Sequence, residues 1–549
     1  MNRPAPPTSS PGSSLSWDYG EKPLAELASS TLPSALPHGV RRVVAIGGGR
    51  PGAGHSVLAA NLGVYLAQLG RRVVVVDADG TCPSLHAMLD VAVPEVEPSP
   101  APDLDDEEPL EVIPTPIQGL TLVPQRYTRD GTAPLRPGRK PRWSKQLKEL
   151  EADYILVDLG PGTSAASLDL FLTADFGICV TPPDPTAVEA TYRYFRALFQ
   201  RQLRRQHLKD RFKMRMVERA LAELPPLPSP LEAILAIARY DAKAADLAAS
   251  ELAQLHPYLV TNSTRMRQDT ELGRAMVDMA GRYLGVQADD LGHIEQDDAL
   301  WLSVGRRRPL LLDNPSSKAG RNLERIARRV VAVATLRGAT VRSPVAWQDA
   351  SERSLYDVLW THPGASDEEL RRAYKRQRDL FQSGSLPLVS LLNEAELARE
   401  RSRLEEAQKT LLDGVRRRTY DLSFFPDKSS DARTLERGPS EADALEQAAL
   451  RAELAPLLHA ETEYTGPLLR RVRESQGIDL GDIAKKTKIA HAHLTAIEVE
   501  DFAQLPAEVY TRGFVTQLAG LLGLDKTIAT RSYVRRFRAF RKAQPEKLA

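Results

Sequence analysis

The sequence predicts a multidomain protein: a doubly wound α/β domain with a P-loop, followed by two small all-α domains. Three observations predict it. A length of 549 residues exceeds what one core organises. Between Val43 and about Val330, short continuous apolar runs alternate with helical patterns, as in a parallel sheet buried on both faces. From about Ser354 onward the apolar spacing is that of helices separated by turns and one acidic stretch.

Taken in order, residues 1–38 are rich in Pro and Ser, and predict a disordered arm without a secretory signal pattern. The α/β domain is expected over 39–340. Its strand candidates are VVAIG from Val43, VVVVDAD from Val73, LTLVP from Leu120, YILVDLG from Tyr154, FGICVTPP from Phe176 and YLVTN from Tyr258. Two insertions interrupt it. Residues 94–112 are acidic and Pro-rich, and read as a mobile loop. Residues 200–256 open with RQLRRQHLKDRFKMR and read as a helical hairpin whose basic start is a solvated face or an anion contact. Residues 351–426 read as a helical module, with a helix start at Ser366 backed by Glu369 three residues on. Residues 427–463 read as an acidic linker, 464–540 as a last helical domain and 541–549 as a tail.

The first strand runs into VVAIGGGRPGAGHSV and then a helix. Strand, Gly-rich loop and helix form an anion site, because loop N–H groups and the helix N-terminus point at the ligand. Gly49, Gly54 and Ser56 meet the phosphate-loop template; His55 stands where lysine is expected. The nucleotide-binding set is Gly49, Gly52, Ala53, Gly54, His55, Ser56 and Val57. Histidine is shorter than lysine and close to neutral at pH 7, with a reference pKa of ~6.5. Pro51 removes one loop N–H. Acidic residues gather at the strand ends, Asp77, Asp79, Asp158 and Asp184, where ligands of such folds sit.

These motifs resemble the MinD/ParA family of deviant P-loop ATPases, and within it the FlhG-like branch. The resemblance rests on the loop, on VVVVDADGTCPSLHAML, on YILVDLGPG, on LVTNSTRMRQDTELG and on the closing LGHIEQDDALWLSVGRRRPLLLDNPSSKAG. It implies ATP and Mg²⁺ as cofactors, with Ser56, Asp79 and Asp158 on the metal side. Asp79 would position the attacking water, and Asn262 would contact adenine. Arg50 replaces the signature lysine that reaches a partner's nucleotide, so the catalytic set is Asp79, Arg50 and His55, in a homodimer. A pseudo-ATPase with a structural loop is the alternative, and hydrolysis is expected to be lost or weak.

LYDVL, PGASDEELRRAY and RRRTYD resemble a DnaJ-type J-domain, but Gln382, Ser383 and Gly384 stand where its His-Pro-Asp would be. A helical adaptor is the expectation. The last domain resembles the RodZ-type helix-turn-helix, with Leu480–Lys486 and the recognition helix Ala490–Glu498. Its candidate DNA or partner contacts are Lys485, Lys486, Lys488, His491, His493 and Thr495. Glu498, Glu500 and Asp501 are expected to repel phosphates, so a protein partner, cytoskeletal or positioning, is preferred to DNA. RSYVRRFRAFRK from Arg531 reads as a closing helix that packs its aromatics inward; its alternative is a peripheral membrane or nucleic-acid contact.

A net charge of +1 supplies no global field toward nucleic acid or membrane. Two cysteines exclude a disulfide framework and fit a cytoplasmic protein. No apolar run approaches ~18 residues, so no transmembrane segment is expected. Together these readings predict a MinD/ParA-like spatial regulator or scaffold in bacterial positioning, motility or division. A helix-turn-helix transcription regulator and an adaptor without nucleotide are the alternatives.

Overall fold

The computed structural model describes residues 41–92, 96–97, 110–125, 127–128, 131–132, 142–207, 211–336, 354–425, 450–451, 454, 458 and 462–543. The expected arm, and most of the acidic insertion, the acidic linker and the tail, lie outside the described residues.

The first region is an eight-stranded sheet. Its strands are β1 (Arg42–Gly48), β2 (Val73–Asp77), β3 (Ile113–Pro114), β4 (Leu120–Val123), β5 (Tyr154–Pro161), β6 (Phe176–Thr181), β7 (Tyr258–Thr264) and β8 (Asp289–Glu295). They lie in the order β8-β7-β6-β1-β5-β2-β4-β3, parallel except for β3. All six expected strands are present. The pattern missed β3 and β8 because both are edge strands. β8 buries three of its seven residues and carries Gly292 and His293, so it lacks the continuous apolar run of a central strand. β1, β2 and β5 are buried along nearly their whole lengths.

Helices cover both faces. On one lie α1 (His55–Gln68) and the long α8 (Lys318–Leu336). On the other lie α2 (Ala165–Thr173), α3 (Pro185–His207), α4 (Arg211–Ala222), α5 (Pro230–Ala238), α6 (Ala242–Gln254) and α7 (Leu272–Met279). The expected hairpin at 200–256 is instead the end of α3 followed by three helices. Part of its basic start is neutralised: Arg201 grips Asp169 of α2 through both carboxylate oxygens, and Arg205 lies 3.7 Å from the same carboxylate.

Four helices follow: α9 (Leu355–Leu359), α10 (Asp367–Leu380), α11 (Glu394–Leu411) and α12 (Gly414–Phe424). Capping boxes start three of them: Ser354 with Asp357, Ser366 with Glu369, and Asn393 with Glu396. Each satisfies two N–H groups that a helix start leaves open. The module packs on α3 and α7 through the segment between α10 and α11. Tyr192 donates its hydroxyl to Pro387 O at 2.7 Å, and Arg196 reaches Ser390 O at 3.1 Å. Arg282, in the π-turn that prolongs α7, pairs with Glu400 at 2.7 Å and lies over the rings of Trp360 and Phe381.

The C-terminal domain is built from α13 (Gly466–Ser475), α14 (Leu480–Thr487), α15 (His491–Glu498), α16 (Glu508–Leu521) and α17 (Lys526–Ala543). Tyr533 and Phe537 of α17 are buried, and Phe540 rests on Phe502 at 5.4 Å between centroids. The closing helix therefore packs its aromatics inward, as the helical spacing predicts.

Arg282 and Glu400 are both largely buried, at 6% and 15% exposed, so removing Arg282 leaves a largely buried carboxylate with only the more distant Arg403, at 4.0 Å, to compensate it. Arg282→Ala is expected to lower the unfolding free energy by about 3 kcal/mol, read as a lower urea midpoint. An unchanged midpoint would show that this pair does not hold the module to the sheet domain.

Candidate functional site

The site is built where β1, β2 and β5 end side by side. Register sets Asp158 opposite both Ile46 and Asp77, so the ends of β2 and β5 deliver Asp77, Asp79 and Asp158 to one buried place beside the end of β1. Above them the chain leaves β1, turns through Gly49 to Gly54 and enters α1. Gly54 takes φ +102°, a left-handed value that a side chain would resist. Gly49 lies so close to α3 that an added methyl would overlap Ala190 O at 2.2 Å. The N–H groups of His55, Ser56 and Val57 open α1 and have no intrahelical acceptor, as at any helix start. Nothing lies within 4 Å of the place a Cβ would take on Gly52, so the loop crest is open.

The carboxylates have separate tasks. Asp77 accepts the N–H groups of Ser84 and Leu85 at 3.1 Å, and so anchors the short helix Leu85–Met88. Burial, with Asp158 beside it, pushes its pKa up to about 7. Asp79 accepts from Thr81 N, Thr81 Oγ1 and Cys82 N through Oδ1. Asp158 accepts from Gly160 N at 3.0 Å, while its Oδ2 is buried without a hydrogen-bond partner. Burial pushes its pKa up to about 6, against the pull of the nearby Ser56 hydroxyl and of Gly160 N–H.

His55 is buried, and a methyl built on Gly48 would lie 2.7 Å from its Nε2, so the ring is tucked against the end of β1. That Nε2 has no hydrogen-bond partner. Burial lowers the imidazole pKa to about 4, with Asp79 pulling weakly the other way. The ring is therefore neutral at pH 7. Arg50 is held by Asp184, which also caps α3 by accepting from Thr186 Oγ1 and Ala187 N. Asn262 donates to Ala53 O at 2.8 Å and accepts from Ser263 N. It braces the loop from beneath, through one amide N–H and the amide oxygen; the adenine contact is what the resemblance implies for the same side chain. Val57 shares the first turn, its carbonyl accepting from Asn61. The sequence places Asp184 at a strand end but not its task, which is to hold Arg50 and cap α3; the signal for the cap is its Asp-Pro-Thr.

The donor set fits a magnesium–nucleotide on one side. Ser56 and the orphaned Asp158 Oδ2 fit a hard cation, and the open loop with the α1 N-terminus fits a phosphate. Bound Mg²⁺ would supply charge neutralisation for the phosphates and the carboxylates. On the other side, His55 stands where the loop template has lysine.

In the helix-turn-helix region, Lys485, Lys486, Lys488, His491 and Thr495 are exposed. His493 is stacked on Phe514 and so is partly withdrawn. The expected acidic repulsion is corrected for two residues. Arg473 holds Glu498 at 2.6 and 3.0 Å, and Arg536 holds Glu500, which also accepts Gly466 N. Both carboxylates are more buried than the arginines that hold them, and each is compensated by its guanidinium group.

Fold and site together define a P-loop NTPase domain of the ParA/MinD type, followed by a helical region that ends in a helix-turn-helix. Residues 39–204 match a family model described as NUBPL iron-transfer P-loop NTPase, and residues 468–528 match a helix-turn-helix domain model. The chain is 31% identical over 175 residues to the chloroplastic Fe-S cluster assembly factor HCF101 of Arabidopsis thaliana, covering 30% of this chain and 31% of that one. It is 30% identical over 153 residues to the iron-sulfur cluster carrier protein of Bacillus subtilis, covering 26% and 40%. It is also 41% identical over 68 residues to the cytoskeleton protein RodZ of Streptococcus pneumoniae, covering 12% and 25%. Among solved structures, the septum site-determining protein MinD with Mg-ADP from Pyrococcus horikoshii aligns at a TM-score of 0.35 and 21% identity, over 55% of this chain and 100% of that one. The chain spans between 25% and 53% of the length of the curated relatives it matches. The helical module at 354–425 lies outside both matched segments. No helix among the described residues is long and apolar enough to cross a membrane.

Between pH 6.5 and about 4 the unfolded His55 binds a proton that the folded ring refuses. Its contribution therefore favours folding above that window and is lost as pH falls through it, by up to about 3 kcal/mol. Asp77 and Asp158, with raised values, slope the other way. The comparison with His55→Gln isolates the histidine: the native protein should lose more stability than the variant between pH 7 and 4 in urea titrations. Parallel profiles would contradict a buried neutral ring.

Proposed function

We propose that this protein is a nucleotide-responsive scaffold with weak or lost hydrolysis, in which a ParA-type domain governs helical partner-docking modules. The observation that carries the reading is the pairing of an intact metal side, Ser56 with Asp158, with a buried, neutral His55 in place of the loop cation. Binding then rests on backbone N–H groups and metal, and the stabilisation a lysine gives a transferring phosphoryl is missing. The spatial placement of a cellular structure is the role the MinD/ParA resemblance adds, with the partner held by the C-terminal modules.

Several of the relatives are named as iron–sulfur cluster carriers or assembly factors. As a substrate, a cluster does not suit this chain's donors. Clusters are held by four thiolates as a rule, and the 549 residues contain two cysteines. Cys179 is fully buried in β6 with its thiol pushed far up by burial, leaving Cys82 alone exposed. Two copies together would offer two accessible thiols. Carriage of a cluster is therefore not the reading these residues support.

A second reading, contact with DNA through the helix-turn-helix, gains from the inward turn of Glu498 and Glu500. It leaves three exposed lysines beside His491 and Thr495. Such binding would be strongly salt-dependent, and Lys485→Ala would weaken all sequences alike.

Calorimetric titration of the full chain with Mg-ATP tests the main reading. The native protein should bind weakly, and His55→Lys should bind roughly 10- to 100-fold tighter, the range of a charge-assisted hydrogen bond. Native turnover at the rate of His55→Lys would refute it. Self-association gives a separate check. Arg50 must leave Asp184 to reach a partner's nucleotide, so Asp184→Asn, which keeps the helix cap, should promote Mg-ATP-dependent dimerisation in sedimentation velocity. Arg50→Ala should abolish it. Dimerisation unchanged in both variants would remove Arg50 from the interface.

A further inference from the structure

The cleft between α16 and α17 belongs to no site described so far. It has a volume of about 800 Å³ and is walled by Arg512, Lys526, Arg531, Arg535 and Arg538. Arg531, Arg535 and Arg538 recur at four and then three residues, so they line one face of α17. Lys526 lies across α16, where a methyl on Gly520 would come within 2.5 Å of its Cε. Two carboxylates oppose these five cations. Glu508 is held by Arg538 at 2.6 and 2.9 Å and by Arg512 at 3.0 Å, and Glu463 is held by Arg535 at 2.8 Å. Lys526 and Arg531 have no acidic partner among the described residues. The floor is mixed: Val534 is buried, and the hydroxyls of Thr516 and Thr530 bond to each other at 2.9 Å.

We infer that this cleft is a docking site for an acidic peptide segment of a protein partner. Charge complementarity gives the sign: five cations against two carboxylates on one wall. The way Glu508 is gripped by two guanidinium groups shows that the cleft's arginines are spaced to take a carboxylate, and arginine's planar fork favours that geometry. A peptide sets its carboxylates only where its sequence puts them, so it can reach Arg531 and Lys526 while avoiding Glu508 and Glu463. A nucleic-acid strand carries a charge about every 3.4 Å and cannot avoid them.

The cleft is also separate from the recognition helix. His493 of α15 stacks on Phe514, and Arg512 and Thr516 lie two residues to either side of Phe514. Two residues turn an α-helix by about 200°, so the cleft faces away from α15. A flat bilayer is a poorer fit, since the apolar residue Val534 lies at the floor of a concave wall and is buried.

The test is fluorescence anisotropy on the full chain, with a fluorescein-labelled peptide of repeating Glu-Ala-Leu-Glu as the probe. A glutamine version of the peptide, a random-sequence DNA duplex and phosphatidylglycerol vesicles serve as competitors. The acidic peptide should bind, weaken with salt, and be displaced by neither the glutamine peptide nor the vesicles. The double variant Arg531→Glu, Arg535→Glu should lose about tenfold or more in affinity. The milder pair Lys526→Ala, Arg531→Ala should lose less in the same direction. The pair Lys485→Glu, Lys486→Glu should bind as the native protein does. All five altered residues are exposed, and unchanged melting curves check folding. The inference fails if the native protein does not bind the peptide, or if both cleft variants bind it unchanged. It also fails if the DNA duplex binds more tightly than the peptide and the cleft variants lose that binding instead. The result is independent of whether the P-loop takes nucleotide.

Discussion

Three carboxylates buried at adjoining strand ends are the constraint around which the first domain is arranged. Asp77, Asp79 and Asp158 sit under the loop because β1, β2 and β5 are neighbours in register. Buried anions of like sign cannot all stay ionised without partners. Backbone N–H groups from residues 81–85 and from Gly160 answer part of this demand. The loop supplies no cation for the rest, because Arg50 is held by Asp184 and His55 is buried and neutral. Asp77 and Asp158 respond with raised pKa values. A hard cation beside Ser56 would answer the same demand.

The helix α3 joins that site to the rest of the chain. Its first turn is capped by Asp184, the residue that holds Arg50. Further along, Tyr192 and Arg196 hold the segment between α10 and α11. By resemblance this segment is where a J-type module would carry its activating tripeptide. Here, part of the segment is turned onto the sheet domain, and Arg282 with Glu400 seals the contact. The module is thus built into the first domain rather than offered outward by that edge.

The C-terminal domain follows a similar electrostatic logic. Its acidic residues near the recognition helix are drawn inward by Arg473 and Arg536, while arginines of α17 that do not serve the core remain on the cleft wall. Charges close together in sequence therefore end on opposite sides of one small fold. The lysines of α14 and the cleft arginines of α17 lie on different helices of this fold.

The sequence by itself determined the α/β class, the six central strands, the loop-to-helix turn and the helix start at Ser366. These are local matters: continuous apolar runs, Gly spacing and capping residues act over a few positions. It also marked Ser56, Asp79, Asp158 and His55 as neighbours through the motif order. It did not show the edge strands, whose burial is one-sided, or the helices that replace the hairpin after residue 200. Only the tertiary structure decided which charges meet. Arg50 finds Asp184 across 134 residues, Asn262 reaches Ala53 across 209, and Glu498 turns toward Arg473. Such pairs are selected by the packing of helices against a sheet and by the high cost of burying an unpaired charge, and neither leaves a periodic trace in the chain.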